Sequence, residues 1–250
     1  MAPPAREPML LRIESVSRSF WRGSSEIRAL SDVSLDVQSG DLVAVYGPRS
    51  AGKTALLEIA AGLDVPDEGT VTFLGSDLSR GSRRALTRLH REEIAWVERA
   101  GPKLHDLPMH VYVALPLYRT LTRYEAQRRV SDAMARMDVS EYADRRWHEL
   151  PDTARILVAM AHALVREPRL LVVDDPTAGL GMIDREQVVG LLRSVAEVDD
   201  IGVLMATPDM PSMLQAHQVR ALTRGRLLPP ASAPEDDRTV VPFRPIPRSS

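Results

Sequence analysis

The stretch GPRSAGKT, from Gly47 to Thr54, decides the fold of this 250-residue chain. It fits the pattern G-x-x-x-x-G-K-[ST], in which backbone N–H groups turn inward around phosphate oxygens. The apolar run LVAVY (42–46) precedes it and the helical pattern ALLEIAAGL (55–63) follows it. A chance match in a glycine-containing turn would seldom lie between a strand and a helix. The stretch therefore predicts a phosphate-binding loop.

The lysine of this loop is informative because the chain has only two lysines among 32 basic residues. Lys53 would reach the β- and γ-phosphates as a compact ammonium, which a planar guanidinium does poorly. Thr54 would place its hydroxyl on Mg²⁺. A second apolar run, LLVVDD (170–175), ends in acid, and Asp174 would hold the same ion through water. We expect ATP and Mg²⁺ as cofactors, with the nucleotide on Gly47, Pro48, Arg49, Ser50, Ala51, Gly52, Lys53 and Thr54.

Composition and charge narrow the classes of function. The formal net charge is −2, so bulk electrostatics does not favour nucleic acid as the main partner. The chain has no cysteine, which excludes disulfides and thiolate metal sites. The N-terminus lacks the apolar core of a secretion signal, and no stretch approaches the ~18 uninterrupted apolar residues of a membrane span. We expect a chain that does not cross a bilayer by itself.

The order of patterns along the chain predicts an α/β fold with disordered ends. Residues 1–8 and 228–250 are rich in proline and are typical of tails, which leaves 9–227 as the folded part. Alternation at Val33, Leu35 and Val37 indicates a half-exposed strand, whereas the two apolar runs are typical of buried parallel strands. The chain should therefore contain a mixed sheet.

Helical patterns separate the predicted strands. They cover Lys53–Ala61, Ile183–Glu197 and Met210–His217. A helical pattern also runs through the whole range Pro102–Val165. Within that last range, Thr122 and Glu125 form a capping box before apolar residues at helical spacing. We expect a helical subdomain, at about 100–165, inserted in the α/β core.

From about residue 10 to 227 the order of these features resembles the ATPases of ATP-binding-cassette (ABC) transporters. VALPL (113–117) is similar to a segment of the lipoprotein-release and macrolide-export subfamily, and DDPTAGL (174–180) is similar to the family's acidic strand end and D-loop. Phe20 aligns with the aromatic residue that stacks on adenine in the family; the alternative is a core aromatic. The resemblance implies a P-loop NTPase (RecA-like) core with a mixed sheet, an antiparallel β edge and the helical subdomain.

The signature of this family, LSGGQ, is altered in the chain. In the family its Ser hydroxyl and Gly N–H groups bind the γ-phosphate held by the opposite subunit, but the aligned run here is LPDTA (150–154). Pro151 has no N–H, and Asp152 places a carboxylate where that phosphate should dock. Two like charges ~4 Å apart cost roughly 1–4 kcal/mol. Pro-Asp-Thr is nevertheless a good helix start, with the proline and the acid both favoured in the first turn, so we expect the helix to remain and the phosphate contact to be lost.

Four further positions of the catalytic site also depart from the family. Arg99 aligns with the glutamine that contacts Mg²⁺ and the attacking water, and Gly181 aligns with the closing Asp of the D-loop. Asp175 stands at the position of the catalytic Glu and is shorter by one methylene; a misplacement near 1 Å can cost ~10²-fold in rate. Pro208 aligns with the switch histidine, and its side chain has no hydrogen-bond donor. The resemblance therefore implies weak or absent ATP hydrolysis.

Two functions are compatible with these residues. The first is a nucleotide-binding subunit of an ABC transporter that binds ATP–Mg²⁺ and hydrolyses it slowly or not at all. Its partners would be a membrane permease, contacted through residues 99–121, and a second ABC ATPase subunit or a second copy as a dimer. The alternative is a non-hydrolysing regulatory or scaffold pseudo-ATPase on a permease. In both, the chain is cytoplasmic and held at the inner face of the membrane by the permease; an ABC-type protein acting on nucleic acid would need tandem cassettes, a coiled-coil insertion or a basic face.

Overall fold

Ten strands form two β-sheets in the computed structural model, which describes residues 9–97, 106–118 and 121–228. In spatial order, the antiparallel sheet contains β2 (Ser25–Gln38), β1 (Met9–Arg22), β4 (Glu68–Phe73) and β5 (Ser76–Asp77). The second sheet contains β10 (Arg226–Leu227), β9 (Gln218–Thr223), β3 (Leu42–Tyr46), β8 (Gly202–Thr207), β7 (Leu170–Asp174) and β6 (Ile94–Val97). In the second sheet only β9 and β10 are antiparallel neighbours, so the predicted mixed sheet is confirmed.

Helices connect the parallel strands. Those in the described residues are α1 (Lys53–Ala60), α2 (Arg83–Glu92), α3 (Met109–Ala114), α4 (Arg123–Arg136), α5 (Asp152–Leu164), α6 (Met182–Asp199) and α7 (Met210–Met213). Short 3-10 turns cover Leu115–Leu117, Ser140–Tyr142 and Trp147–Glu149. Within the described residues no helix is both long enough and apolar enough to span a bilayer.

The hydrophobic core explains why the chain adopts these layers. On β2, Val33, Leu35 and Val37 are buried and alternate with exposed Ser34 and Asp36, as the period of a half-exposed strand requires. These buried residues pack in one cluster with the buried face of α1 and with side chains of β3, so α1 lies between the two sheets. A second cluster joins α3, α4, α5 and α6 to the opposite face of the mixed sheet. The phosphate-loop helix is therefore held on both sides.

The helical pattern between 100 and 165 is largely retained in the described residues. Over the described residues 106–118 and 121–165 the chain forms α3, α4, α5 and the three 3-10 turns, with one isolated β-bridge between Pro108 and Arg146. The capping box is confirmed, because the Glu125 N–H donates to Thr122 Oγ1 at 3.3 Å and Glu125 Oε2 accepts from the Thr122 N–H at 3.0 Å. The predicted tail at 1–8, all but Leu228 of the predicted tail at 228–250, and residues 98–105 lie outside the described residues.

The predicted helix over Met210–His217 is wrong beyond Met213. The His217 N–H donates to the Leu42 carbonyl at 2.9 Å, and His217 Nδ1 accepts from the Leu42 N–H at 2.8 Å. These two bonds place His217 beside the start of β3 and lead directly into β9, so the chain leaves the helix early. The helical periodicity of the segment is overridden by its pairing with a distant strand.

One buried histidine predicts how stability should depend on pH. His162 on α5 stacks on Tyr112 of α3, with ring centroids 4.4 Å apart and an interplanar angle of 8°. Its pKa is lowered from 6.5 to about 4, because burial disfavours the imidazolium and the charge of Arg166 adds to this effect. Between about pH 6.5 and about pH 4 the unfolded chain therefore binds a proton that the folded chain does not.

We expect His162 to lower the free energy of unfolding by about 1–2 kcal/mol between pH 7.5 and pH 5, with no effect above about pH 7. Thermal unfolding across this range should be compared with that of His162→Phe, which keeps an aromatic ring against Tyr112 and cannot titrate. The variant should lose less stability than the wild type on acidification. Equal losses would mean that His162 accepts a proton in the folded protein.

Candidate functional site

The phosphate loop follows β3 and ends in the first turn of α1, as the sequence predicts. Two glycines are required by close backbone approaches: a Cβ on Gly47 would lie 2.2 Å from the Leu222 carbonyl oxygen, and a Cβ on Gly52 would lie 2.2 Å from that of Ala29. Gly52 also has φ +103°, a conformation that side chains with a Cβ rarely adopt. The loop is therefore held against β2 and the end of β9 in a shape that the other amino acids do not allow.

Lys53 lies over the loop that it belongs to. Its Nζ donates to the carbonyl oxygens of Gly47 at 2.8 Å and Pro48 at 2.9 Å. Burial lowers the pKa of Lys53, while the charges of Asp175 and Asp174 act in the opposite direction. The ammonium is thus partly desolvated, and this strengthens its attraction for an anion that enters the loop.

Thr54 and Asp174 meet at the end of β7. Thr54 Oγ1 donates to Asp174 Oδ2 at 2.7 Å, although the two residues are 120 positions apart in the chain. Hydroxyl and carboxylate oxygens are the ligands that Mg²⁺ prefers. The donor set therefore fits this ion next to the phosphate loop.

Asp175 and Pro208 follow adjacent strands at the same edge of the sheet. Asp175, the residue after β7, has φ 50° and donates its N–H to the Ala206 carbonyl of β8 at 2.8 Å. Pro208 follows Thr207, the last residue of β8, and its side chain is exposed. The structure thus brings both altered positions to the strand ends beside Lys53 and Asp174.

Phe20 lies on β1, opposite Ile27 of β2. Its side chain is 38% exposed, so the alternative of a core aromatic is wrong. The guanidinium of Arg18 covers one ring face, with Arg18 Cζ 4.9 Å from the ring centroid. Arg18 was not identified from the sequence, because no local pattern distinguishes it from the other arginines, thirty in all. The role of Phe20 in binding adenine remains a prediction.

The altered signature begins a helix, as expected, with one difference in register. Pro151 is the N-cap of α5 and Asp152 is its first residue, so only the acid, and not the proline, lies in the first turn. Asp152 Oδ1 accepts from Arg155 Nη1 at 2.9 Å, and the side chains of both Pro151 and Asp152 are exposed. This helix N-terminus presents a carboxylate paired with an arginine.

An ion pair that the sequence analysis missed joins two loops at this edge. Arg185, in the first turns of α6, donates from Nε to the Leu180 carbonyl at 2.8 Å and pairs through Nη1 with Asp209 at 2.8 Å. It therefore ties the segment after β7 to the segment after β8. Gly181, at the predicted D-loop position, is the N-cap of α6. No local pattern indicates such a pair, because its members belong to different elements.

The predicted permease-contacting range of 99–121 is only partly described. Arg99 lies outside the described residues. In VALPL, Val113 and Leu117 are buried in the protein's own core, whereas Leu115 is 41% exposed. Tyr118, the residue that follows this segment, is 78% exposed. The segment thus packs on its own core and also presents apolar surface.

Comparisons with known proteins agree with this arrangement. Residues 30–178 match the family model described as "ABC transporter". The lipoprotein-releasing system ATP-binding protein LolD of Chromohalobacter salexigens is 30% identical over 224 residues, covering 89% of this chain and 94% of LolD. The macrolide export ATP-binding/permease protein MacB 2 of Yersinia pestis bv. Antiqua is 29% identical over 244 residues, covering 94% of this chain. The chain spans about a third of the length of that relative, at 34%.

Solved structures show the same fold. The dimeric ATP-binding cassette MJ0796, in a post-hydrolysis state bound to ADP and Pi, aligns with a TM-score of 0.79 and 26% identity, covering 87% of this chain and 96% of that one. The protein cbiO1 of Clostridium perfringens, part of the ABC transporter complex cbiONQ, aligns with a TM-score of 0.80 and 25% identity, covering 89% and 88%. The predicted P-loop NTPase fold, with its mixed sheet and antiparallel sheet, is confirmed.

Proposed function

The chain belongs to the ABC transporter family as an ATP-binding subunit of the LolD and MacB type, and we propose that it binds ATP–Mg²⁺ but hydrolyses ATP slowly or not at all. Cassettes of this family bind ATP with Mg²⁺, form dimers and work with membrane permeases. One observation carries the proposal about hydrolysis. The phosphate cradle is complete, whereas the two strand ends beside it carry Asp175 and Pro208.

Binding is assigned to the residues of the cradle. The loop N–H groups and Lys53 Nζ would hold the phosphates, with Lys53 exchanging its carbonyl partners for phosphate oxygens. Thr54 and Asp174 would hold Mg²⁺, which neutralises charge on the phosphates when bound. Phe20 would stack on adenine. The phosphate loop, Thr54 and Asp174 lie at one edge of the mixed sheet, and Phe20 lies in the β1–β2 hairpin next to it.

Weak hydrolysis follows from what the remaining side chains cannot do. A carboxylate must lie at a defined position to orient the attacking water, and the Asp175 side chain is one methylene shorter than that of glutamate. Pro208 has no group with which to contact a γ-phosphate. In a dimer of the family type, each nucleotide also lies against the signature of the other chain, and here that signature begins with Pro151 and Asp152. A second copy of this chain would therefore bring a carboxylate towards the phosphates.

The assignment of domains and location is part of the same proposal. Residues 9–227 form one nucleotide-binding domain, with a helical subdomain at about 100–165 and tails at 1–8 and 228–250. The chain is held at the inner face of the cell membrane through its permease, with Leu115 and Tyr118 on the surface that faces it. A second subunit with intact motifs would supply a working signature to the nucleotide held by this chain.

Calorimetry and steady-state phosphate release on the purified chain test the proposal. We expect Mg-ATP at millimolar concentration to release heat of binding and to raise the unfolding temperature, because a ligand that binds only the folded state stabilises it. Phosphate release should stay well below ~1 s⁻¹, the lower end of ordinary turnover. Faster turnover would overturn the loss of hydrolysis, and the absence of any binding would overturn the whole proposal.

A further inference from the structure

A cluster of charges lies beside Phe20, outside the phosphate loop. Arg18 Nε donates to Asp64 Oδ2 at 2.9 Å and Arg18 Nη2 donates to Asp64 Oδ1 at 2.8 Å, which is a two-pronged pairing. Arg18 Nη1 donates to Asp67 Oδ1 at 2.7 Å, and Asp67 Oδ2 accepts from the Ser19 N–H at 2.7 Å. We call Arg18, Asp64 and Asp67 the arginine clamp. All three nitrogens of its guanidinium are engaged, so the plane of this group is fixed.

The clamp fixes Phe20 as well. Arg18 and Phe20 are two residues apart on β1, and the contact between them shows that both side chains lie on the same side of the strand. The guanidinium lies over the ring, 4.9 Å from its centroid, within the range of a cation–π contact. Because Arg18 is held by two carboxylates, it gives the ring a rigid surface on one side. Arg18 covers one face of the ring, and Phe20 as a whole is 38% exposed.

The charges of the clamp are consistent with a tight ionic contact. Burial alone would lower the pKa of Arg18, but its hydrogen bonds to Asp67 and Asp64 and their charges together raise it. The Ser19 N–H and the Arg18 guanidinium lower the pKa of Asp67, while burial acts in the opposite direction. Both shifts favour the charged forms of Arg18 and Asp67.

The clamp is connected to the phosphate loop by two short routes. Arg18 is paired across the strands with Leu30, whose Cδ2 lies 3.1 Å from the position of a Cβ on Gly52. Phe20 lies two residues further along β1, which is about 7 Å towards the tip of the hairpin. Asp64 and Asp67 follow the end of α1, the helix that begins in the phosphate loop. The clamp thus connects Phe20 to the phosphate loop through both β2 and α1.

We propose that Arg18 is the positioning residue for the base of the bound nucleotide. Held by Asp64 and Asp67, it fixes Phe20 at a set distance from the phosphate loop with one ring face ready to stack on a purine. Ordering the aromatic ring before the nucleotide arrives removes a conformational cost from binding. The inference rests on the proposed function, because it takes the phosphate loop as the site of the triphosphate.

A merely structural role for the clamp predicts a different result. If Arg18 only joined β1 to the segment after α1, its loss would loosen the phosphate loop and weaken every ligand held there. If it positions the base, its loss should weaken ligands that carry a base and spare those that do not. Inorganic tripolyphosphate is such a ligand, since it occupies the phosphate loop without reaching Phe20.

The experiment compares two ligands on the full-length chain by calorimetry, Mg-ATP and Mg-tripolyphosphate. Arg18→Ala should weaken Mg-ATP by about 5- to 10-fold, the loss expected for poorer stacking of one base, and leave Mg-tripolyphosphate within about twofold. Arg18→Lys should also weaken Mg-ATP, because an ammonium cannot make the two-pronged pairing with Asp64. The matched control is Arg12→Ala, which removes another cation of β1, paired with Asp36 at 3.5 Å, and should leave both ligands unchanged.

Several outcomes would overturn the inference. An equal loss of both ligands in Arg18→Ala would assign the clamp a structural role, and unchanged Mg-ATP affinity would remove its role altogether. If Arg18→Ala does not fold, Asp67→Asn keeps the bonds to Asp64 and should show the same selective loss to a smaller extent; a loss of both ligands would contradict us. Wild-type chain that binds both ligands equally would overturn only the base contact, whereas wild type that binds neither would overturn the proposed function itself.

Discussion

Lys53→Ala is expected to raise the dissociation constant for Mg-ATP by about 100-fold or more. The wild-type ammonium is held 2.8 Å and 2.9 Å from two loop carbonyls and is within reach of whatever enters the loop. A hydrogen bond to a charged group contributes about 1.5–3 kcal/mol, and the missing charge also leaves the phosphates without a nearby cation. The measurement is calorimetric titration with Mg-ATP, together with the nucleotide-induced rise in unfolding temperature.

The loss of binding should not reflect unfolding. Burial lowers the pKa of Lys53, which means that the charged side chain is desolvated at a cost in the absence of nucleotide. Its removal should therefore leave the nucleotide-free variant at least as stable as the wild type. Lys53→Arg should restore little, because a planar guanidinium fits the loop poorly. The control is Arg12→Ala, and unchanged Mg-ATP binding in Lys53→Ala would show that the nucleotide site is elsewhere.

Restoring the family's residues at five of the altered positions is expected to raise ATP turnover by about 100-fold or more. The variant carries Asp175→Glu and Pro208→His, with Pro151→Ser, Asp152→Gly and Thr153→Gly in the signature. The first two changes place a longer carboxylate and a hydrogen-bond donor at adjacent strand ends, and one misplaced catalytic group alone can cost ~10²-fold. Phosphate release by the purified chain measures the effect.

Comparing part of this set with the full set separates the contributions. Asp175→Glu with Pro208→His should raise turnover only slightly in the chain alone, because the dimer would still bring Asp152 towards the phosphates. The full set should then produce most of the gain, and adding Lys53→Ala to it should abolish turnover. A full variant that folds and binds Mg-ATP but releases phosphate no faster than the wild type would show that these positions do not limit hydrolysis.

The local elements followed from short patterns because their causes are local. The alternation at Val33, Leu35 and Val37 predicted a half-exposed strand, since successive side chains of a strand point to opposite faces. The apolar runs before the phosphate loop and before Asp174 predicted buried strands, because a continuous apolar run places apolar side chains on both faces of the strand. By contrast, α2 was missed: it buries no residue fully, and Leu86 and Leu89 on one face pack only partly buried against the core.

What the sequence alone determined about this protein is the phosphate loop, the strand before it and the chemistry of Lys53 and Thr54, because these depend on residues a few positions apart. The tertiary structure decided which distant groups meet: the early end of the helix before His217, the pair between Arg185 and Asp209, and the arginine clamp on Phe20. Ion pairs of this kind join segments that come together only when the sheets pack. The energy of that packing, and not local periodicity, therefore decides which of the many arginines forms a given pair.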